Sequence, residues 1–219
     1  MTRSKPGLKQ DSQALSGKAY DYLIHKLLTR ELVPGDLINR RQIADDLGIS
    51  VAPVLEAMVQ LQNEGFLESI PRKGTLVKGI KQEDLRGQLI LREALECEAA
   101  RFFFGRRIMD NAARLRKLAR SVEDSQDDPA VSWRMEFEFH RALVELAECP
   151  ALLSIYDKVM RHKLFMAQNL FLAAHEKSGH SDHYQLLKEL ESEDPDKAEF
   201  AIRRHIRAGK IGLLNLPKD

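Results

Sequence analysis

Four residues in the C-terminal half of the chain have side chains and a spacing that could bind a divalent metal ion. Glu136 and His140 are four residues apart in a segment of helical pattern, so both point to the same face of one helix. His183 opens a later helical segment, and His205 lies 22 residues further along, in the last one. Three imidazoles and a carboxylate suit Zn²⁺, Ni²⁺ or another borderline cation.

Spacing alone leaves other interpretations open. A single histidine at helical spacing is usually a packed or solvated residue, and a Glu/His pair four residues apart is common. A catalytic zinc site would also need a bound water and a general base close to it. Glu138 is near in sequence but sits two residues from His140, on another face of the helix. We find no nucleophile motif such as GxSxG and no phosphate-cradling loop, so the sequence does not predict an enzyme.

The composition predicts a globular chain of one large or two small domains. Of 219 residues, 31% are charged and 6% are aromatic, and the formal net charge is +1. Residues 1–80 carry 11 Lys/Arg against 9 Asp/Glu, and the remainder carries 23 against 24. Two cysteines without a CxxC partner, no signal-like N-terminus and no apolar run of about 18 residues lead us to expect a cytoplasmic protein.

The N-terminal third has the order helix, short helix, turn, helix, two strands. Apolar residues recur at helical spacing over 15–32 and stop at Pro34-Gly35. A short helix is predicted from Arg41 to Leu47, and a third follows Ser50, whose hydroxyl suits the N-cap. FLESI and TLVK flank the turn PRKG as short strands. This pattern predicts a winged helix-turn-helix over 14–79, after a disordered tail over 1–13.

The rest of the chain predicts helices only. Asp-Pro pairs at 128–129 and 194–195 have the form of an N-cap followed by proline in the first turn. The predicted helices span about 83–104, 106–124, 129–148, 151–174, 182–191 and 195–213. Six helices of this length favour an antiparallel bundle over 83–215. The expected fold is therefore mostly α, with a small two-stranded wing near the N-terminus.

Two sets of sequence blocks resemble a known family. The segment ELVPGDLINRRQIADDLGIS, with EAMVQLQNEGFLESIPRKGTLV after it, resembles the winged-helix domain of GntR-type bacterial transcription regulators. LREALECEAARFF, FHRALVELAECPALL and HYQLLKELESEDPDKAEFAIRRHI resemble the helical effector domain of the FCD subgroup. The resemblance covers about residues 14–212. It implies a homodimer that binds a short palindromic operator and a small metabolite, often a carboxylate, in the helical domain.

The resemblance also gives the histidines a role. In the metal-binding branch of the FCD subgroup, an Asp-x3-His pair and two later histidines occupy positions that match Glu136, His140, His183 and His205. Glutamate replaces the usual aspartate at 136, so its reach differs. The resemblance therefore implies a divalent ion, Zn²⁺ or Ni²⁺, with an effector carboxylate at any coordination site left open. Arg92 matches a position near the effector cavity; a surface arginine or a salt bridge to Glu96 is the alternative.

The helix that should enter the DNA groove departs from the family pattern. Val51 and Leu55 stand where the family usually has arginines, and a bidentate arginine–guanine pair is worth about 1–3 kcal/mol of discrimination. Ser50 precedes amides that can meet a phosphate, and Val51 and Ala52 could pack on a thymine methyl group. Further DNA-contacting candidates flank this helix: Arg40 and Arg41 on the preceding helix, and Arg72, Lys73 and Gly74 at the wing tip.

The sequence thus predicts a metabolite-responsive regulator of transcription that binds DNA as a homodimer. A divalent metal ion and a small carboxylate in the helical domain would control its affinity for an operator unlike the family's usual one. The alternative is a metal- and metabolite-binding homodimer whose DNA function has weakened, been lost or moved to a partner protein.

Overall fold

Ten helices and one two-stranded sheet form the described part of the chain, which covers residues 6–125, 129–169 and 182–208 of this computed structural model. The chain divides into two units, Met1–Ile80 and Lys81–Asp219. This confirms the predicted fold class, a mostly helical protein with a small wing. None of the described helices is long and apolar enough to cross a lipid bilayer.

The first unit contains the helix-turn-helix and its wing. Its elements are α1 (Pro6–Leu28), α2 (Arg40–Leu47), α3 (Val51–Asn63), β1 (Leu67–Ile70) and β2 (Gly74–Val77). The strands are antiparallel, with Leu67 opposite Val77 and Ile70 opposite Gly74. α1 and α3 pack together over a core that includes Leu23, Leu27, Val54, Leu61 and Phe66.

Local signals explain the turn between α2 and α3. The Asn39 side chain caps α2 by accepting hydrogen bonds from the amides of Arg41 and Gln42. Gly48 ends α2 in the left-handed region, at φ 64°, where a residue without Cβ has no steric penalty. Ser50 takes the N-cap position of α3 as predicted, but its hydroxyl makes no capping hydrogen bond. Asn39, whose side chain caps α2, was not predicted as a cap.

The wing turn is tight and needs glycine at position 74. Gly74 has φ 107°, and a Cβ there would lie 3.1 Å from Cδ1 of Leu37. Leu37 forms an isolated bridge with Leu76, so the chain before α2 also holds the wing. Arg72, at the tip, has φ 65° as well.

The first helix begins earlier than the sequence suggested. We expected a disordered tail over 1–13 and a helix from Leu15, but α1 already begins at Pro6. Proline is compatible with the first turn of a helix, because the amides of that turn have no helical partner. The apolar spacing that predicted this helix begins near Leu15, and its buried members are Ala19, Leu23, Ile24 and Leu27.

The second unit contains seven helices in its described part. They are α4 (Gln82–Phe103), α5 (Arg106–Asp110), α6 (Ala112–Glu123), α7 (Pro129–Glu145), α8 (Pro150–Asn169), α9 (His183–Leu190) and α10 (Pro195–Arg207). Helix α4 packs against α7, α8 and α10. The core includes Phe103, Leu115, Phe139, Leu190 and Ile202.

The predicted helix over 106–124 is two helices. At Asn111 the backbone leaves helical geometry, with φ −106° and ψ 8°, and the Asn111 side chain donates to the carbonyl of Arg107. Asparagine competes for backbone hydrogen bonds in this way, which its apolar neighbours did not reveal. The predicted ends of two other helices, 170–174 and 209–213, lie outside the described residues.

The later of the two Asp-Pro signals is confirmed. Asp194 caps α10 by accepting hydrogen bonds from the amides of Asp196 and Lys197, and Pro195 opens the helix. This cap fixes the beginning of the helix that carries His205. Asp128, the other predicted cap, lies outside the described residues.

Candidate functional site

Three histidines from three helices meet inside the helical unit. His140 on α7, His183 on α9 and His205 on α10 each direct a ring nitrogen to one point, and these nitrogens all lie within 4.8 Å of one another. All three side chains are buried, His140 completely. We call these residues the histidine cluster.

Two members of the histidine cluster have the nitrogen spacing expected for ligands to a single ion. The Nε2 atoms of His140 and His205 are 3.2 Å apart. Two imidazole nitrogens bound to one ion at 2.0–2.1 Å, with angles between the octahedral and tetrahedral values, are about 2.8–3.4 Å apart. The chemistry and spacing of these donors are therefore those of a possible three-histidine metal site.

Glu136 lies beside two members of the cluster. Its Oε1 is 3.1 Å from Nε2 of His183, and its Oε2 is 3.4 Å from Nε2 of His140. Nε2 of His183 is buried yet is not in hydrogen-bonding geometry with that carboxylate or with any other described group. A buried imidazole nitrogen without a hydrogen bond, beside a carboxylate, suits metal ligation. The structure thus places Glu136, the fourth predicted ligand, next to the histidine cluster.

Two further carboxylates hold the histidine rings in orientation. Glu96 Oε2 lies 2.7 Å from Nδ1 of His140, and Glu123 Oε1 lies 3.1 Å from Nδ1 of His183. A carboxylate on Nδ1 places the proton there and leaves Nε2 as the free donor atom. Both rings therefore present Nε2 to the cluster, as metal-ligating histidines commonly do.

Arg92 is buried next to the cluster and is not a surface residue. Its side chain is 1% exposed, and its Nε donates to Oε1 of Glu96 at 2.6 Å. Nη1 and Nη2 have no hydrogen-bond partner among the described residues, although Nη2 is 3.9 Å from Oε2 of Glu136. An unsatisfied buried donor costs about 1–3 kcal/mol, and more when it is charged. The arrangement therefore calls for an anion at the outer edge of the guanidinium.

The charges around the cluster favour a dication. Three carboxylates, Glu96, Glu123 and Glu136, contact its histidines, and Arg92 is the guanidinium paired with them, so with neutral imidazoles the sum is −2. Burial raises the pKa of Glu96, but Arg92 and His140 outweigh it and hold the pKa well below its usual range. Glu96 is thus ionised, and a divalent ion would balance the group.

The pKa values of two cluster histidines move in opposite directions. Burial, with repulsion from the other two histidines, lowers the pKa of His205 to about 2. Burial also lowers the pKa of His183, but the nearby carboxylates of Glu136 and Glu123 outweigh it, and the net shift is upward. In the metal-free protein His205 is therefore a ready neutral ligand, while His183 must lose a proton before it can ligate.

Sequence reasoning missed several residues around the cluster. Glu123 and Tyr156, whose hydroxyl donates to Glu96 at 3.2 Å, come from helices distant in sequence from their partners. Lys163 on α8 is also buried, with its Nζ 4.5 Å from the centre of the Trp133 ring, one turn before Glu136 on α7. By contrast, the spacing of Arg92 and Glu96 on one face of α4 was visible in the sequence.

The predicted DNA-contacting residues lie on the surface of the first unit. Arg40 and Arg41 are exposed at the beginning of α2, and Arg72 and Lys73 are exposed at the wing tip beside Gly74. Within the described ranges, none of these four cationic side chains forms an ion pair. Their charged ends are therefore open to solvent.

Helix α3 presents an outer face without a cationic side chain. It has no Lys or Arg between Val51 and Asn63. Ala52 is exposed, Val51 is half-buried, and Leu55 and Val59 are 39% and 54% exposed. The structure therefore places apolar side chains where a helix-turn-helix meets a DNA groove.

Two family sequence models match the chain, one for each unit. The model described as bacterial regulatory proteins, gntR family, matches residues 15–77, and the FCD domain matches residues 89–208. The histidine cluster lies within the second range and the exposed cations within the first.

Curated relatives over most of the chain are regulators of transcription and not enzymes. A probable D-xylose utilization operon transcriptional repressor from Paenarthrobacter nicotinovorans is 27% identical over 200 residues, covering 89% of this chain and 86% of its own. The HTH-type transcriptional repressor RspR from Escherichia coli K12 is 22% identical over 197 residues, covering 84% of each chain.

Solved structures share the fold. The E. coli protein McbR/YncC aligns with a TM-score of 0.68 at 19% identity, over 91% of this chain and 96% of its own. A putative GntR transcriptional regulator from Rhodococcus sp. RHA1 aligns with a TM-score of 0.70 at 17% identity, over 95% and 100%. Both combine a helix-turn-helix unit and a helical unit in the order found here, as expected from the family matches.

Proposed function

Because the chain belongs to the gntR family of bacterial regulatory proteins and carries an FCD domain, we propose that this DNA-binding transcription regulator is controlled by a divalent metal ion and a small carboxylate. The ion would be Zn²⁺ or Ni²⁺, held by His140, His183 and His205 with Glu136 as fourth ligand. Both ligands would set the affinity of a homodimer for a short palindromic operator.

The observation that supports this most is the histidine cluster with the unpartnered end of Arg92 beside it. The Nε2 atoms of His140 and His205 have the spacing of two ligands to one ion, the ligand nitrogens of all three histidines lie within 4.8 Å of one another, and two of the rings are held by carboxylates on Nδ1. The guanidinium has two buried nitrogens without a hydrogen bond among the described residues. A metal ion and an anion are the two species that would satisfy these groups together.

The effector we propose is a mono- or dicarboxylate. One carboxylate would be bound by Nη1 and Nη2 of Arg92, whose planar fork matches carboxylate geometry. The ion would supply a Lewis-acidic site for the same anion when bound. Lys163, buried near Trp133 one helical turn from Glu136, adds a second cation on this side of α7.

The DNA contacts we propose fall into two groups. Arg40, Arg41, Arg72 and Lys73 would meet phosphates or the groove, with Gly74 allowing a close approach of the wing backbone. Ser50 and the first amides of α3 would meet a further phosphate, and Val51 and Ala52 would face base edges.

The homodimer is supported by apolar side chains on α4. Ile90, Leu91 and Phe102 are 50%, 48% and 56% exposed. Exposed apolar groups of this size on one helix are typical of a protein contact. Two DNA-binding units in one dimer would each read half of a palindrome, and their linkage raises the effective concentration of the second unit.

A binding titration tests the proposal directly. Fluorescence anisotropy with the DNA upstream of the protein's own gene would be measured for the metal-free protein, then with Zn²⁺ or Ni²⁺, and then with added carboxylates. We expect sequence-specific binding that changes by at least tenfold between these states. Specific binding that is identical in all of them would contradict control by metal and carboxylate.

The absence of Lys and Arg from α3 favours a second candidate, a metal- and metabolite-binding homodimer whose DNA function has weakened or passed to a partner protein. Under this alternative, specific and random duplexes would compete equally at low salt, whether or not metal is present. The same titration therefore separates the two candidates.

A further inference from the structure

The outward face of α3 carries an apolar row that its own fold does not cover. Val51, Leu55 and Val59 follow one another at intervals of four residues, so they form one row along the helix. Leu55 and Val59 are 39% and 54% exposed, whereas Val54, Ala57 and Leu61 on the other face are buried. The row spans about 12 Å, which matches about three base-pair steps of DNA.

We infer that this row is a specificity element that packs on the 5-methyl groups of thymines in the major groove. The inference rests on the DNA binding proposed above and identifies what a helix without Lys or Arg recognises. The thymine methyl is the apolar group that a base pair presents in that groove, and aliphatic side chains are its natural partners. The half-site should therefore hold successive thymines where a cationic helix would select guanines.

Charge around the row favours DNA over a protein as the occupant. Helix α3 packs against α2 and β1, whose ends carry the exposed cations Arg40 and Arg41 and lead to Arg72 and Lys73. Cations on both sides of an apolar strip complement a groove with phosphates on its rims and methyl groups on its floor. Glu56, exposed on the same helix, would be repelled by phosphates but can accept a hydrogen bond from cytosine N4 on the floor.

Uracil-for-thymine exchange isolates the methyl group, because it removes that group and leaves the base-pair hydrogen bonds unchanged. The probe is the duplex that the full-length protein selects most strongly from a random-sequence pool. Each thymine of a half-site would be replaced by deoxyuridine, one at a time. At contacted positions we expect binding about fourfold weaker, which corresponds to the 0.8 kcal/mol of one buried methylene-sized group.

Variants then show whether the methyl group meets the row itself. Leu55→Ala and Val59→Ala should bind the thymine duplex more weakly and should lose most of the uracil effect at their own positions. This is a double-mutant cycle between a side chain and a methyl group. Ile155→Ala is the control, since Ile155 is 49% exposed but lies on α8 of the other unit, and it should retain the full uracil effect.

The outcomes of these binding experiments separate the thymine-methyl inference from its alternatives and from the proposed function. Specific binding with no uracil effect at any position would overturn the thymine-methyl inference and leave the proposed function standing. A uracil effect that persists unchanged in both alanine variants would also overturn it, because DNA shape and not contact would then be responsible. Alanine variants that change the assembly state in sedimentation but not DNA affinity would assign the row to a protein contact. No specific duplex from the pool would instead contradict the proposed function.

Discussion

The histidine cluster and the exposed cations of the first unit differ in how far the protein pairs its own charged groups. Around the cluster, Glu96, Glu123 and Glu136 contact the imidazoles, and Arg92 is paired with Glu96. On the first unit, Arg40, Arg41, Arg72 and Lys73 are exposed and form no ion pair with a described residue. The charged groups of the first region are buried and mostly paired within the protein. Those of the second region are exposed to solvent and can pair with charges on another molecule.

This difference predicts how the two regions respond to mutation. Buried charges that depend on one another are costly to separate, because removal of one leaves the other desolvated and unpaired. Exposed cations that contact only solvent can be removed with little effect on folding. Changes at the cluster should therefore alter stability and metal binding, while changes on the first unit should alter DNA binding alone.

The largest effect on stability is expected for Arg92→Met. This change leaves the ionised Glu96 carboxylate buried without its cation, so the free energy of unfolding of the metal-free protein should fall by about 3–5 kcal/mol. Denaturant titration measures it. Arg101→Met is the control, because Arg101 is also ion-paired on α4 but is 37% exposed, and solvent screening should make its loss far less costly. Equal losses in the two variants would contradict the distinction between buried and exposed pairs.

Loss of the metal comes next in size. At a free Zn²⁺ or Ni²⁺ concentration a thousand times Kd, the ion should stabilise the wild-type protein by about 4 kcal/mol. His205→Ala should remove most of that stabilisation, because the ion loses one of its three imidazoles. A chelator should have the same effect on the wild type, because it removes the ion. Thermal unfolding with and without metal provides the measurement. His25→Ala, which removes an exposed histidine of α1, should retain the whole effect; if it does not, the metal binds elsewhere.

Glu123→Gln tests the carboxylate that holds His183. Loss of an anionic partner on Nδ1 should weaken metal binding by about 10–100-fold at high pH. Below the raised pKa of His183 a proton must leave before the metal binds, so wild-type affinity should fall about tenfold per pH unit, beginning above pH 6.5. His205, with its pKa at about 2, adds no such dependence in that range.

The variant should shift this pH dependence in a known direction. Without Glu123 the pKa of His183 moves down, because one of the carboxylates that raise it is gone. Its affinity should therefore start to fall at a lower pH than in the wild type, and the gap between the two proteins should narrow as the pH drops. Calorimetric titration at several pH values shows this. Glu98→Gln, an exposed change on α4, should match the wild type; a constant gap would contradict the positioning role of Glu123.

The two regions also differ in how much their sequence could reveal. The helix-turn-helix is contiguous, so Pro34-Gly35, Ser50 and the strand pattern around the wing predicted its elements closely. His140, His183 and His205 were found through their match to a family pattern. Glu96 and Glu123 could not be predicted as their partners, because each lies 44 or 60 residues away and only the packing of α4, α6, α7 and α9 brings them together.

The break between α5 and α6, which the sequence analysis did not predict, has a local cause. Asn111 divides a predicted helix through a hydrogen bond from its own side chain, while the apolar spacing continues on both sides. For Arg92 the sequence offered a place near the effector cavity or a salt bridge to Glu96, but the hydrogen bond from Tyr156 to Glu96 comes from α8, far along the chain. The spacing of apolar residues shows which face of a helix is apolar. It does not show which polar groups are buried against that face.

The smallest effect on folding, and the sharpest contrast with the cluster, is expected at the wing. Replacing Arg72 and Lys73 together by alanine should change the free energy of unfolding by no more than about 0.5 kcal/mol, because neither side chain is ion-paired with a described residue. Binding to all DNA sequences should weaken alike. The slope of log affinity against log salt should become shallower by about two, one for each lost phosphate contact.

A charge-matched control separates contact from net charge. Arg106 and Arg120 are 86% and 76% exposed in the helical unit, and their joint replacement by alanine removes the same two charges. That variant should keep the wild-type salt slope. If both double variants flatten the slope equally, the wing makes no phosphate contact, and the unpaired cations of the first unit act only through the overall charge of the protein. If only the wing variant does so, the cations left unpaired by the fold are the ones that DNA satisfies.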